Sequence, residues 1–140
     1  MEITKEKLIE ELNKDLEWEY SAAVQYVQHA ATMTGPEYDA IIKELVVHSS
    51  EEMAHAFQLS EQIDFLGGTP TIDVEKRAVS KDSHEMLEQD LAGEEMAIMR
   101  YKERIEQAIS LKEWGLKRVL EDILIMEEEH KRDLLTVLNK

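Results

Sequence analysis

The sequence predicts an all-α protein: a four-helix bundle made of two antiparallel hairpins joined by one long crossover. Three observations carry that prediction. Gly (5) and Pro (2) are scarce, while the strong helix formers Glu, Leu, Ala, Met, Lys and Gln are abundant. Apolar residues advance in alternating threes and fours along four stretches, the period of a packed helix face. The one long stretch without that period, Gly67 to Lys81, falls between the second and third of them.

The first helix is expected from about Thr4 to Met33, with Leu12, Leu16, Ala23, Tyr26, Ala30 and Met33 on its apolar stripe. Gly35-Pro36 breaks it and starts the second, because proline is accepted at an early helical position. That helix is expected to run to about Leu66, with Ile41, Leu45, Leu59 and Leu66 inward. The third, from about Ser83 to Ile109, carries Leu87, Leu91, Ile98, Tyr101, Ile105 and Ala108, and Asp82 with Glu85 is a weak capping pattern at its start. The fourth, from about Leu111 to Asn139, carries Leu116, Leu120, Ile123, Leu134 and Val137. The pattern Ser110-x-x-Glu113 reads as a capping box that opens it. Helices of this size are roughly 42 Å long, and the crossover, fully extended, reaches about 50 Å. It can therefore run the length of the bundle.

The 140 residues are expected to form a single domain, 1–140. There are 31 acidic against 16 basic residues, a formal charge of −15. That charge argues against nucleic acid as a partner and favours cations. With no cysteine, disulfides, thiolate zinc sites and cysteine catalysis are excluded. No apolar run suits a signal peptide or a membrane helix, so the expected compartment is the cytoplasm.

Each stripe is interrupted by residues foreign to a core. The helical step lands on Glu19 in the first helix, on His48, Glu52 and His55 in the second, on Glu94 in the third, and on Glu127 and His130 in the fourth. Four carboxylates facing one interior repel each other and lose their hydration. Two divalent metal ions would neutralise them, with neutral imidazoles completing the set. Spacing supports a metal site. Glu52-x-x-His55 and Glu127-x-x-His130 each put both side chains on one helix face. Glu19 precedes Glu52 by 33 residues, as Glu94 precedes Glu127, and all three ligands recur at an offset of 75. Leu12/Leu87, Leu16/Leu91, Tyr26/Tyr101, Leu45/Leu120 and Leu59/Leu134 share that offset. The chain thus reads as two related hairpins about a pseudo-twofold axis. The offset selects Glu94 over its neighbour Glu95, and leaves Glu51, Glu128 and Glu129 out of phase. His29 and His84 fall off the stripes and are expected at the surface.

A Glu from each of two helices and a Glu-x-x-His from each of the other two is the ligand set by which ferritin-like di-iron proteins are known. Within that group the chain resembles bacterioferritin over nearly its whole length. Leu16-Glu17-Trp18-Glu19-Tyr20 with Gln25-Tyr26 and His29-Ala30 is similar to its first helix. Glu52-Met53-Ala54-His55-Ala56 and Phe65-Leu66-Gly67-Gly68-Thr69-Pro70 are similar to its second helix and turn. Asp90-Leu91-Ala92-Gly93-Glu94 and Ile123-Leu124 with Glu127-Glu128-Glu129-His130 match its third and fourth.

The resemblance implies a ferroxidase centre at which two Fe(II) ions are oxidised by O₂ or peroxide, for iron storage or detoxification. Glu52 and Glu127 would bridge, Glu19 and Glu94 would be terminal ligands, and His55 and His130 would give one nitrogen to each metal. Manganese or zinc would also suit these donors. Tyr26 is a candidate donor to a ligand or a redox tyrosine, with a packed core tyrosine as the other reading. Glu51 is placed to orient a ligand histidine, whereas Met126 stands where family members often carry an acidic residue. Met53 occupies the position of the haem-ligating methionine, with haem as the lesser possibility beside a surface or dimer contact. His48 is either an accessory ligand or a lining histidine. Bacterioferritins usually continue into a short fifth helix beyond the point reached at Lys140, so the expected assembly is a homo-oligomer, a dimer at least, with a cage as the larger alternative. The competing functions are a non-cage rubrerythrin-like or erythrin-like oxidase or peroxidase with a separate electron donor, and a metal-free helical interaction protein.

Overall fold

The computed structural model describes residues 2–140. Four helices follow in order: α1 (Lys5–Thr32), α2 (Asp39–Phe65), α3 (Ser83–Ser110) and α4 (Trp114–Val137), with a 3₁₀ turn at Pro36–Tyr38 ahead of α2. No strand occurs among the described residues, and no helix is long and apolar enough to cross a membrane.

The helix ends follow local chemistry. Thr4 caps α1 by accepting from the Lys7 amide at 3.1 Å, and Asp82 caps α3 by accepting from the Glu85 amide at 2.8 Å. The capping box expected at Ser110 does not form: Ser110 ends α3, and α4 begins at Trp114 behind Glu113, which caps with no side-chain hydrogen bond. The α3 terminus consumes these residues instead. Lys112 adopts a left-handed φ of 58°, and the Lys112 and Glu113 amides return to the Ile109 and Ala108 carbonyls at 3.0 and 2.9 Å. This closure satisfies the last carbonyls of the helix. Gly67, at φ 97°, closes α2 in the same way, with the Gly67 and Gly68 amides bonded to the Asp64 and Ile63 carbonyls.

α1 packs on α2 and α3, and α4 packs on α3 and α2. The pairings across α1 and α3 run antiparallel: Asp15 with Arg104, Glu19 with Tyr101, Tyr26 with Glu94, His29 with Asp90. Those across α2 and α4 do too: His48 with Asp133, Glu51 with His130, His55 with Glu127. Adding 75 to the Asp15 and Glu19 positions gives Asp90 and Glu94, and adding it to Tyr26 and His29 gives Tyr101 and Arg104. The pseudo-twofold axis inferred from the offset is therefore present in the side-chain pairing.

The apolar core is split in two. One cluster gathers Leu8, Leu12, Leu16, Leu59, Ile63, Tyr101, Leu116, Leu120 and Ile123. The other gathers Tyr26, Met33, Ile41, Leu45, Met86, Leu87, Leu91 and Leu134. On every helix the candidate ligands lie between the positions used by the two clusters, so a polar layer is enclosed by apolar packing at both ends.

The crossover is stitched along α1. Asn13 bonds the Thr69 carbonyl and the Thr71 amide, Lys14 pairs with Glu75 at 2.9 Å, and Arg77 donates to Ser21 at 2.6 Å and Gln25 at 2.8 Å. Its contacts advance in the direction of α1, as a full-length crossover requires. Gly93 leaves space for the Arg77 guanidinium, since a Cβ there would lie 2.7 Å from Arg77 Nη1.

Candidate metal centre

The stripe positions chosen from the sequence converge. Glu19, Glu52, His55, Glu94, Glu127 and His130 are all buried, none more than 4% exposed. They form two overlapping donor groups, Glu19/Glu52/His55/Glu127 and Glu52/Glu94/Glu127/His130, in each of which the donor atoms lie within 4.8 Å of one another. Glu52 and Glu127 belong to both. His55 Nδ1 sits 3.3 Å from Glu19, 3.2 Å from Glu52 and 3.7 Å from Glu127. His130 Nδ1 sits 3.3 Å from Glu94, 3.4 Å from Glu52 and 3.3 Å from Glu127. Each imidazole therefore turns one nitrogen inward, at opposite ends of a shared carboxylate pair.

This donor set fits cations. One oxygen each of Glu52, Glu94 and Glu127, together with His55 Nδ1, is buried without a hydrogen-bond partner. Buried polar atoms are normally satisfied, and metal ions at the two donor groups would satisfy these. In the metal-free chain protons compensate instead. Burial, then the charges of Glu127, Glu19 and Glu94, drives the Glu52 carboxyl well above the usual range. Burial, then Glu19 and Glu94, pushes Glu127 up to about 7. Burial opposes the charged form of His130, but the Glu127 and Glu94 carboxylates, each 3.3 Å from its Nδ1, outweigh it and raise the imidazole to about 11.

The surrounding contacts complete the layer. Tyr26 donates its hydroxyl to Glu94 Oε2. Its pseudo-symmetric twin Tyr101 donates to Glu19 at 2.8 Å. Sequence reasoning placed Tyr101 only in the core, although its offset from Tyr26 already signalled a shared role. Glu51 reaches His130 Nε2 at 3.0 Å, and at the equivalent place Met126 offers no oxygen. Glu95 points outward to Lys131 at 3.4 Å. His48 is buried, stacks on His130 with ring centroids 4.0 Å apart and meets Asp133 at 3.0 Å. Met53 is half exposed on α2. His84 is exposed as expected, but His29 is fully buried and pairs with Asp90 at 2.8 Å. It is the counterpart of Arg104, which binds Asp15 at 2.7 Å. The offset explains why a residue off the apolar stripe is buried.

A cavity of about 10 Å³ touches the carboxylates Glu19, Glu52, Glu94 and Glu127, and is walled by Tyr26, Trp18, Arg77 and Arg100. That is space for roughly one water. The guanidinium groups of Arg77 and Arg100 lie over the Trp18 ring, 5.2 and 5.3 Å from its centre.

Two Glu-x-x-His helices and two further Glu helices, joined by one long crossover, define the ferritin-like class of four-helix bundle. The ferritin-like domain family matches residues 9–140, and the chain belongs to that family. It is 34% identical over 134 residues to a bacterioferritin of Brucella melitensis biotype 1, covering 95% of this chain and 83% of that one. Among solved structures it superposes on ferritin-like diiron-carboxylate proteins from Bacillus anthracis str. Ames, with TM-score 0.93, 38% identity and 99% of both chains covered. It also superposes on the bacterioferritin-related dodecameric thioferritin from Bacteroides fragilis, with TM-score 0.91, 28% identity, 99% of this chain and 88% of that one covered.

Proposed function

We propose that this chain is a bacterioferritin-like ferroxidase that binds and oxidises Fe(II) for iron storage or detoxification. The observation that carries this reading is the pair of buried donor groups that share Glu52 and Glu127. Shared carboxylates hold two cations close together, and the mixed oxygen and nitrogen donors suit iron, with manganese and zinc as competitors. Two irons held there give up two electrons to O₂ or to peroxide, each Fe(II) becoming Fe(III).

The protein's own residues prepare that chemistry. Glu52 and Glu127 serve both metal positions, Glu19 and Glu94 serve one each, and His55 and His130 add one nitrogen apiece. Tyr101 and Tyr26 hold the terminal carboxylates by hydrogen bonds, which fixes their direction. Tyr26, in contact with Glu94, is also a candidate to pass an electron or proton. The imidazolium of His130 and the carboxyl of Glu52 give up protons as Fe(II) arrives, since ligands bind in their deprotonated forms. The apolar clusters on both sides keep bulk water from the layer.

The working form is a homo-oligomer, in keeping with the dodecamer formed by the Bacteroides fragilis relative. The test joins mass and stoichiometry: Fe(II) is added aerobically while native particle mass and bound iron are measured. Storage predicts a hollow oligomer and uptake far beyond two irons per chain. Uptake that stops at two in a dimer overturns storage in favour of a non-cage oxidase or peroxidase, and absence of binding overturns the centre.

A further inference from the structure

The α1/α3 face carries a positive groove on a chain whose formal charge is −15. Lys76 and Arg77 of the crossover and Arg100 of α3 line it with Trp18, Gln89 and Gly93, around a space of about 280 Å³. Trp18, Arg77, Gly93 and Arg100 also wall the small cavity that touches Glu19, Glu52, Glu94 and Glu127. The groove therefore lies directly outside the metal centre.

Its cations lack counterions. Among the described residues neither Lys76 nor Arg77 forms an ion pair. Arg77 donates to the neutral oxygens of Ser21 at 2.6 Å and Gln25 at 2.8 Å, which uses two of its five N–H groups. Arg100 Nε is 3.5 Å from Asp15, but Arg104 already holds both oxygens of that carboxylate, at 2.7 and 3.0 Å. Arg100 Nε is thus buried with no hydrogen-bond partner. Both guanidinium groups lie over the Trp18 ring, 5.2 and 5.3 Å from its centre, so two like charges share one indole. Burial, and then the charge of Arg100, hold the Arg77 guanidinium below its ordinary value, although Asp90 and Glu94 draw it the other way.

The scaffold does not demand this arrangement. The offset of 75 pairs Trp18 with Gly93 and Gln25 with Arg100, and all four line the groove. One half supplies an indole and an amide, the other a glycine and a cation. Arg77, from the crossover, fills the space that the glycine leaves.

We propose that Lys76, Arg77 and Arg100 form a binding site for a tetrahedral oxyanion of the phosphate class, seated in this groove outside the metal centre. Guanidinium forks match the oxygens of such an anion. Ser21, Gln25 and the Trp18 ring hold the two arginines in place, so little freedom is lost on binding. The carboxylates nearby are committed elsewhere: Asp15 to Arg104, and the four glutamates to the centre. The site does not depend on the ferroxidase reading.

Inorganic phosphate is the probe, and the full-length protein is stripped of metal and desalted, so that no bound cation can hold the anion. Phosphate bound per chain is counted by equilibrium dialysis. Fluorescence of Trp18, isolated by Trp114→Phe at an exposed position, reports occupancy at the groove itself. The expected result is one phosphate per chain with a matching change in Trp18 emission. Affinity should fall by about tenfold or more in Arg77→Gln/Arg100→Gln, and by about threefold in Lys76→Gln. The Lys76 side chain is exposed, so that variant keeps the test valid if the double variant unfolds, as circular dichroism checks. Binding weaker than millimolar, binding that leaves Trp18 emission unchanged, or equal affinity in the folded variants overturns the proposal. Glycerol phosphate run in parallel separates the sources: inorganic phosphate binding the tighter assigns the free ion, and the reverse order assigns an organic phosphate. Phosphate bound here by a protein that takes up no metal at the six buried ligands overturns the ferroxidase reading and leaves the anion site standing.

Discussion

Replacing Glu127 by Gln should make the metal-free protein more stable at pH 8 and destroy its response to metal. Burial and the charges of Glu19 and Glu94 hold the Glu127 carboxyl at about 7, against 4.5 in an unconstrained chain. Because the folded value is the higher one, the stability tied to its proton is complete below about pH 4.5 and is lost as pH rises through 7. A shift of that size, at about 1.4 kcal/mol per pH unit, makes ionised Glu127 cost the fold about 3 kcal/mol at pH 8. At pH 5 the same shift costs under about 1 kcal/mol. Glutamine keeps the shape and cannot ionise. For a chain of this length, with an unfolding entropy of about 0.3 kcal/mol per degree, 3 kcal/mol corresponds to a rise in melting temperature of about 10 °C. The assay is thermal unfolding by circular dichroism in chelator at pH 8 and pH 5, repeated with excess Mn(II) or Zn(II). The unaltered protein should gain about 4 kcal/mol at a thousandfold excess over the dissociation constant, whereas the variant, lacking an oxygen common to both donor groups, should gain little. Equal melting temperatures in chelator at pH 8, or an equal gain with metal, would refute the reasoning.

Metal binding at pH 7 should release about two protons or more per chain, since His130 and Glu52 must deprotonate to become ligands; an indicator titration with Zn(II) that shows no release contradicts this. Asp15→Ala should cost about 3–5 kcal/mol in urea unfolding, because it strands the buried guanidinium of Arg104, and a loss under about 1 kcal/mol would show that water or Glu103 replaces the carboxylate. Tyr26→Phe and Tyr101→Phe remove equivalent hydrogen bonds to Glu94 and Glu19. Both should retain two metals by equilibrium binding yet slow Fe(II) oxidation in stopped-flow absorbance by about tenfold, the scale of losing a ligand's supporting contact; unchanged rates in both would assign the tyrosines to packing alone.

The sequence by itself determined the four helices, the long crossover and the six buried donors. These follow from period and repetition: a Glu on an apolar stripe is anomalous alone, and the same anomaly recurring 75 residues on is a pattern. The choice of Glu94 over Glu95 came from that arithmetic, and the outward turn of Glu95 toward Lys131 agrees with it. What only tertiary structure decided is which side chains meet across helices. Tyr101 with Glu19, His29 with Asp90 and Asp133 with His48 join positions 82, 61 and 85 residues apart, and no local period encodes such a meeting. The stripe of α1 alone puts His29 at the surface, while the carboxylate that makes its burial tolerable, Asp90, comes from α3. The Ser110-x-x-Glu113 pattern suggests a cap, but two helix ends compete for the same residues, and the left-handed turn at Lys112 settles the competition in favour of α3. Period sets which face of a helix turns inward; the partner on the opposing helix sets what that face can bear.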